Sequence, residues 1–481
     1  MTSIEFMCDL SGRGSKLAHC WEHTVGSCHA PLALRADWQA QLKRCHDELG
    51  FRYVRFHGLL CDDAGTAVRP QDRLIYSFFN ADRIVDFLLS IDMRPFVELS
   101  FMPTALASGS TTVFHYRGNV TPPRDYGQWA ALVGKLIAHW VDRYGVREVR
   151  RWFFEVWNEP NLRAFWTGTR EEYFRLYRYT VRAIKDVDAD LKVGGPATAQ
   201  DEWIEEFVQF CDRHHLPADF VSTHHYPTDA LLTPGADTEL QLAHSRRSIM
   251  RQWAQDSRRR AGGRPLYYTE WNTSSSSRDP RHDQPFAAAF AAKTALEASG
   301  LADGYSFWTF SDIFEESYFP SIPFHGGFGL LTVHGFAKPV YRAFQLLREL
   351  GDERLIVDGL HHTVDAWIVR GGNGVTILLT NHALPRRAIG RERVRVTLRN
   401  SARPRAASIR RIDERHANPR RAWQQLGEPE YLTSRMVDRI ESASRIGEDR
   451  CVWEYADRTV RLEVDLPAHS VASVAVKFQS I

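Results

Sequence analysis

The strongest constraint on this chain is an alternation. Up to about residue 340, short apolar runs trade places with longer amphipathic stretches eight times, the pattern of repeated strand–helix units. Residues 19–26, 51–58, 94–101, 151–158, 192–195, 220–226, 265–272 and 304–310 predict strands. Residues 34–49, 126–144, 171–187, 202–214, 239–260 and 286–299 carry helical periodicity. Eight such units closing on themselves make a (β/α)8 TIM barrel, an α/β fold whose chemistry sits on the loops that follow the carboxyl ends of the strands. After residue 345 the texture changes. Residues 364–370, 375–380, 393–398, 460–464 and 471–476 read as short strands, and Gly371-Gly372-Asn373-Gly374 as a hairpin turn between two of them. The expected organisation is a catalytic barrel over residues 15–345 and a β-sandwich accessory domain over residues 346–481, with residues 1–14 as a candidate edge strand.

Composition then removes whole classes of function. A net charge of +2 over 481 residues gives no global attraction to polyanions. The basic stretch at residues 403–421 has no stacking aromatic before Trp423 and reads as a solvated loop or strand face, so no nucleic-acid partner is expected. The longest apolar-rich run, residues 286–298, holds Lys293 and Glu297 and is too short to span a bilayer, so no membrane partner is expected. The seven cysteines form no CxxC pair, and the first ten residues lack a basic segment followed by an apolar one. Both features predict a reducing, cytoplasmic setting. No cofactor is expected, because GxxxxGK[ST] is absent and Gly12-Arg13-Gly14 lacks a strand-to-helix context. No metal is expected either: His224-His225 with Asp229, and His214-His215, lack a third ligand at fixed spacing. Oligomeric state is left open, and a homo-oligomer is compatible with the sequence.

Two strand ends carry carboxylates. Trp152-Phe153-Phe154-Glu155-Val156-Trp157-Asn158-Glu159-Pro160-Asn161 is an apolar run that ends in Asn-Glu-Pro at the mouth of the fourth strand, and Tyr267-Tyr268-Thr269-Glu270-Trp271-Asn272 ends the seventh. Those strands face each other closely enough across an eight-stranded barrel for Glu159 and Glu270 to reach one bound molecule. Two carboxyl groups flanking one bond are what glycoside hydrolysis uses. At ~5–5.5 Å apart they leave no room for water, so one attacks carbon and configuration is retained. Glu270 is then the nucleophile, and Glu159, its pKa raised by the neighbouring charge, is the acid and later the base.

The run from Phe154 to Leu162 resembles the signature of glycoside hydrolase family 39, the family of β-xylosidases and α-L-iduronidases within the clan of barrel glycosidases. Arg55-Phe56-His57-Gly58, His224-His225-Tyr226-Pro227, Tyr268-Thr269-Glu270-Trp271-Asn272 and residues 307–316 follow in the order that family's barrel has them. The resemblance implies that Glu159 is the acid/base and Glu270 the nucleophile. It implies further that Asn158 bonds the sugar 2-hydroxyl, that His57, His224 and Tyr226 sit at sugar-contacting positions, and that Tyr226 holds the Glu270 carboxylate. Trp308 would form a platform under the ring, with Phe165 as a lateral wall. Of the adjacent pair Glu315 and Glu316, Glu315 is preferred as an acceptor for sugar hydroxyls, whereas Arg55, which could orient a carboxylate from below the site, is read as structural. The expected activity is a retaining exo-glycosidase releasing terminal β-xylosyl residues from short xylo-oligosaccharides. An α-L-iduronidase, with Arg163 as the nearest base to Glu159, a β-glucosidase, an arabinopyranosidase, or a non-catalytic sugar-binding protein are the alternatives.

Overall fold

The eight anticipated runs are parallel strands hydrogen-bonded into a closed barrel in chain order. They are β1 (Thr24–His29), β2 (Tyr53–His57), β3 (Arg94–Leu99), β4 (Phe153–Val156), β5 (Lys192–Thr198), β6 (Phe220–His225), β7 (Leu266–Trp271) and β8 (Gly304–Phe307), and Phe307 pairs with Val25 to close the ring. The computed structural model describes residues 3–233, 235–317 and 320–478, so residues 1 and 2 of the anticipated edge strand and 479–481 of the sandwich lie outside the described residues.

The helices of the outer layer are α1 (Ala36–Leu49), α2 (Phe79–Ser90), α3 (Tyr126–Tyr144), α4 (Arg170–Val187), α5 (Ile204–Arg213), α6 (Ile249–Arg260), α7 (Pro285–Ala298) and α8 (Pro339–Arg348). Their starts follow from side-chain chemistry. Asp125 accepts hydrogen bonds from the Gly127 and Gln128 amides at the head of α3, and Thr169 and Glu172 satisfy each other's backbone N–H groups in a capping box at the head of α4. Such caps are each worth ~1 kcal/mol. The helix expected over residues 239–260 is two, Thr238–His244 and α6. The break frees Arg247 to donate to the carbonyls of His382 and Thr363, 2.8 and 2.6 Å away, tying the barrel to the C-terminal sheets.

Period-two alternation along the strands stacks the barrel interior in layers. At the amino ends Tyr53, Phe96, Phe153, Phe220 and Tyr267 form an aromatic plug. Two residues further along each strand come Arg55, Glu98, Glu155, Ser222 and Thr269, a polar layer that is wholly buried. Above it, pairing registers shift at the carboxyl ends of β5, β6 and β7. Such bulges re-aim side chains next to active sites.

Beyond the barrel run β9 (Val364–Gly371), β10 (Gly374–Asn381), β11 (Glu392–Arg399), β12 (Pro404–Ile412), β13 (Thr459–Leu466) and β14 (Ser470–Phe478). The N-terminal segment Ile4–Asp9 pairs in parallel with β11 in a four-stranded sheet, and Ser15–Lys16 joins a seven-stranded sheet holding β9, β10, β14 and β12. The inner faces meet over Phe6, Ile368, Ile377, Val394, Val396 and Val474. The basic stretch contributes β12, whose Ala407, Ile409 and Ile412 are buried while Arg411 pairs with Asp449 at 2.7 Å. Helix α7 is apolar almost all round because it is covered on both sides. Its Phe286 ring packs 5.1 Å from the ring of His469, at the start of β14. Among the described residues no helix is long and apolar enough to cross a membrane.

Candidate active site

The carboxyl end of the barrel opens into a cavity of about 310 Å³ lined by residues that include His57, Phe114, Asn158, Glu159, Phe165, Tyr226, Glu270, Trp308 and Glu316. The chain reaches it through strained backbone. Trp157 and Glu159 both have left-handed φ angles, 73° and 43°, which cost an L residue ~1–3 kcal/mol each and mark functional sites. That geometry is held by the Glu159 amide donating to the Ala197 carbonyl at 2.8 Å and the Trp157 indole donating to the Phe165 carbonyl at 2.9 Å.

Glu159 and Glu270 converge. One oxygen of each, together with a ring nitrogen of His224, lie within 4.8 Å of one another. Both Glu270 oxygens are engaged: Oε1 accepts from Arg55 Nη1 at 2.8 Å and Oε2 from the Tyr226 hydroxyl at 2.9 Å. Arg55 is fully buried and its fork also reaches Glu155 through Nε at 2.6 Å, Glu98 through Nη2 at 2.9 Å and Asn158 Oδ1 through Nη2 at 3.0 Å. One guanidinium thus faces three carboxyl groups.

Protons must make up the difference. Burial raises the Glu155 carboxyl, with Arg55 opposing. Burial would also raise Glu98, but His57 and Arg55 beside it bring it below the usual carboxylate range, with His57 Nδ1 at 2.6 Å. Glu159 is pushed well above that range, first by burial and then by the charges of Glu270 and Asp229. Glu316 is raised in the same way by burial, Glu270 and Glu98. Burial takes Asp229 up to about 7.

Hydrogen bookkeeping says where the Glu159 proton goes. Burial, then Arg55 and His57, hold His224 well below the usual imidazole pKa, so its ring is neutral and donates from one nitrogen only. Thr269 gives its hydroxyl hydrogen to Glu155 Oε1 at 2.8 Å and accepts from His224 Nε2 at 3.1 Å. Nδ1, 2.9 Å from Glu159 Oε1, is therefore an acceptor. The chain from Glu159 through His224 and Thr269 to Glu155 is self-consistent with Glu159 protonated.

The sequence-predicted residues fall as follows. His57, Asn158, Glu159, Phe165, Tyr226, Glu270 and Trp308 line the cavity, and His224 sits behind Glu159. Asn158 spends its carbonyl on Arg55, and its amide NH2 has no partner among the described residues. His225 turns away to Asp201 and Tyr305. Glu315 is not among the cavity-lining residues: its carboxylate lies 3.3 Å from His29 Nδ1, and Glu316 is the acid that faces the cavity, 3.7 Å from His57 Nε2. Preference between the two adjacent acids is thus reversed, since an irregular loop carries no periodicity from which to read it. Arg55, read from the sequence as structural, reaches the Glu270 carboxylate from the polar layer below the cavity. Phe114 and Gln200 were missed, each on a loop with no motif of its own, and Asp229, weighed in the sequence only as a metal ligand beside His224-His225, lines the cavity. The His29, Cys61 and Asp63 trio and the Glu159, His224 and Glu270 trio have metal-ligand proximity. In the second, the guanidinium of Arg55 already supplies the positive charge and the oxygens are committed to hydrogen bonds.

Two carboxyl groups this close, one gripped by two donors and the other kept protonated, can attack a carbon and protonate a leaving group. The model of glycosyl hydrolases family 39 matches residues 7–450. The chain belongs to that family. A β-xylosidase of Caldicellulosiruptor saccharolyticus is 47% identical over 471 residues, covering 97% of this chain and 96% of that one. A β-xylosidase of Geobacillus stearothermophilus is 39% identical over 446 residues, covering 88% and 86%. The crystal structure of the family 39 enzyme from Xanthomonas axonopodis pv. citri superposes with a TM-score of 0.87 at 30% identity, covering 99% of this chain and 98% of that one. The protein is a glycoside hydrolase that acts on an oligosaccharide or glycoside.

Proposed function

We propose that this family 39 hydrolase is a retaining, exo-acting β-xylosidase that removes terminal β-xylosyl residues from short xylo-oligosaccharides by double displacement. The observation that carries the mechanism is the approach of Glu159 and Glu270 oxygens to within 4.8 Å. That separation is below the ~6.5–9.5 Å an inverting pair needs for its water. Glu270, gripped by Arg55 and Tyr226, attacks the anomeric carbon and forms a glycosyl ester. Glu159 gives its proton to the departing oxygen, then takes one from the water that cleaves the ester. Neutralising Glu270 in the ester removes one of the charges that raise Glu159, so the same group becomes a base when it has to. Asn158, with its NH2 free, bonds the sugar 2-hydroxyl; Trp308 forms the platform and Glu316 accepts from ring hydroxyls.

Two features support an exo-acting enzyme on a neutral sugar. No Arg or Lys is among the described residues lining the cavity, while Glu159, Asp229, Glu270 and Glu316 are, so a uronic acid carboxylate would meet four carboxyl groups and no Arg or Lys to pair with. The far wall is closed where the hairpin of residues 112–119 joins the loop after β8 through the His115 amide and the Glu316 carbonyl, 2.8 Å apart, which suits removal of terminal residues. The two relatives named β-xylosidases agree. Hydrolysis of nitrophenyl xyloside, glucoside, arabinopyranoside and iduronide tests the reading. The xyloside is cleaved best; a preference for the iduronide overturns it.

The same reading makes residues 15–345 the catalytic barrel, and residues 346–481 with the N-terminal strand an accessory sandwich. The seven cysteines, all buried and unpaired, support a reducing, cytoplasmic setting.

A further inference from the structure

The cavity has two halves of different chemistry. Loops after β2, β3 and β8 supply His57, Phe114, Trp308, Glu316 and Phe328, and loops after β4 to β7 supply Leu162, Phe165, Gln200, Asp229, Leu232 and Ser275. Glu159 and its partner His224 belong to the second half, so the leaving group that Glu159 protonates departs through it.

Two polar groups in that half have spare hydrogen-bonding capacity. The Gln200 amide has no hydrogen-bond partner among the described residues although it lines the cavity. Asp229 uses Oδ2 to accept from the Tyr226 amide at 2.9 Å, and its Oδ1 has no partner among them. The backbone around Gln200 is unusual. Ala197, Gln200, Asp201 and Trp203 all have left-handed φ angles, 54°, 65°, 56° and 57°. Such strain persists only where neighbours over-determine it. Asn161, the residue that completes Asn-Glu-Pro-Asn, clasps Ala199 from both sides: its Oδ1 accepts from the Ala199 amide at 3.0 Å and its Nδ2 donates to the Ala199 carbonyl at 3.1 Å. From below, Asp201 accepts from Ser257 at 2.7 Å while its carbonyl takes a hydrogen bond from Arg260 at 2.6 Å. The motif that carries the acid therefore also fixes the loop that carries Gln200.

We propose that Gln200, together with Asp229, forms a hydrogen-bonding subsite for the hydroxyl groups of a second sugar residue, the leaving group. The proposal rests on the glycosidase reading above and adds to it the side chains that receive the departing sugar. Gln200 offers a donor and an acceptor, Asp229 an acceptor, and Leu162 and Leu232 apolar surface in the same half of the cavity.

Xylobiose and methyl β-D-xylopyranoside separate this subsite from the acid. Both have poor leaving groups that need Glu159, but only xylobiose brings a second ring. In Gln200→Gly, where glycine relieves the left-handed backbone, the ratio of kcat/KM for xylobiose to that for the methyl xyloside falls about tenfold, the loss expected for one or two neutral hydrogen bonds. Gln200→Asn, which keeps an amide on a residue that tolerates this conformation, recovers part of the ratio. A ratio within twofold of the wild type in both variants overturns the subsite, whether the two rates fall together or neither moves. A wild type that cleaves neither xyloside overturns the xylosidase reading and the subsite with it; one that cleaves both while the ratio stays put overturns the subsite alone.

Discussion

His224 Nδ1 lies 2.9 Å from Glu159 Oε1 and serves there as an acceptor, because its Nε2 hydrogen is committed to Thr269. A buried glutamate beside a neutral imidazole acceptor keeps its proton. The acid is therefore set up from two shells away, by a threonine on β7 and a glutamate in the polar layer of the barrel.

Thr269→Val tests that relay. Valine preserves the shape but leaves His224 free to turn its donor towards Glu159, which stabilises the carboxylate. The basic limb of the kcat/KM profile, which reports deprotonation of the acid, should move down by about one pH unit, the equivalent of one hydrogen bond. A limb that stays in place while only the maximum falls contradicts the relay.

Glu159→Gln removes the acid and spares shape. Methyl xyloside or xylobiose should lose about 10²–10⁴-fold in kcat/KM, while a dinitrophenyl xyloside, whose leaving group needs no proton, keeps most of its glycosylation rate. Equal losses across leaving groups, measured under the same conditions, are incompatible with proton donation by Glu159.

The same substitution has a stability signature. The Glu159 pKa is raised on folding, so its contribution is complete below the ordinary carboxyl value of 4.5 and is lost as pH climbs through the raised folded value. Wild-type Tm should therefore fall, relative to Glu159→Gln, as pH goes from 4.5 upward. At pH 7 the variant should melt about 2–4 °C higher. Calorimetry across that range that finds the two curves parallel would remove Glu159 from the list of strained groups.

How much of this was legible in the sequence depends on how local each signal was. Strand ends carrying Asn-Glu-Pro and Thr-Glu-Trp-Asn placed Glu159 and Glu270 because period-two runs and a proline are local features. Helices α2 and α8 escaped notice: α2 follows the long loop after β2, and α8 lies beside the change in texture at the end of the barrel. Residues 239–260 kept helical periodicity across the break that lets Arg247 reach the sheets. Gln200, and the meeting of Asp229 and Glu316 with it in one cavity, escaped the sequence for a different reason. Loops from three strands bring them into one cavity, and no spacing in the chain encodes that meeting. Arg55 looked structural as a lone base in a strand; only the closed ring sets it against Glu98, Glu155 and Glu270.

Arg55→Met should show what that ring costs. Removing the one cation from among three buried carboxyl groups should destabilise the fold by about 3–5 kcal/mol at neutral pH. Part of that is regained on acidification, as carboxyls take up protons. A denaturant midpoint unchanged at pH 7 would mean that the polar layer is neutral without Arg55.

The central claim is that Glu159 and Glu270 act on one anomeric carbon in two displacements. Proton NMR of the first sugar released from a β-xyloside, recorded before mutarotation, tests it most directly. The account predicts that β-xylose appears first and the α anomer grows in later; α-xylose as the initial product would contradict it.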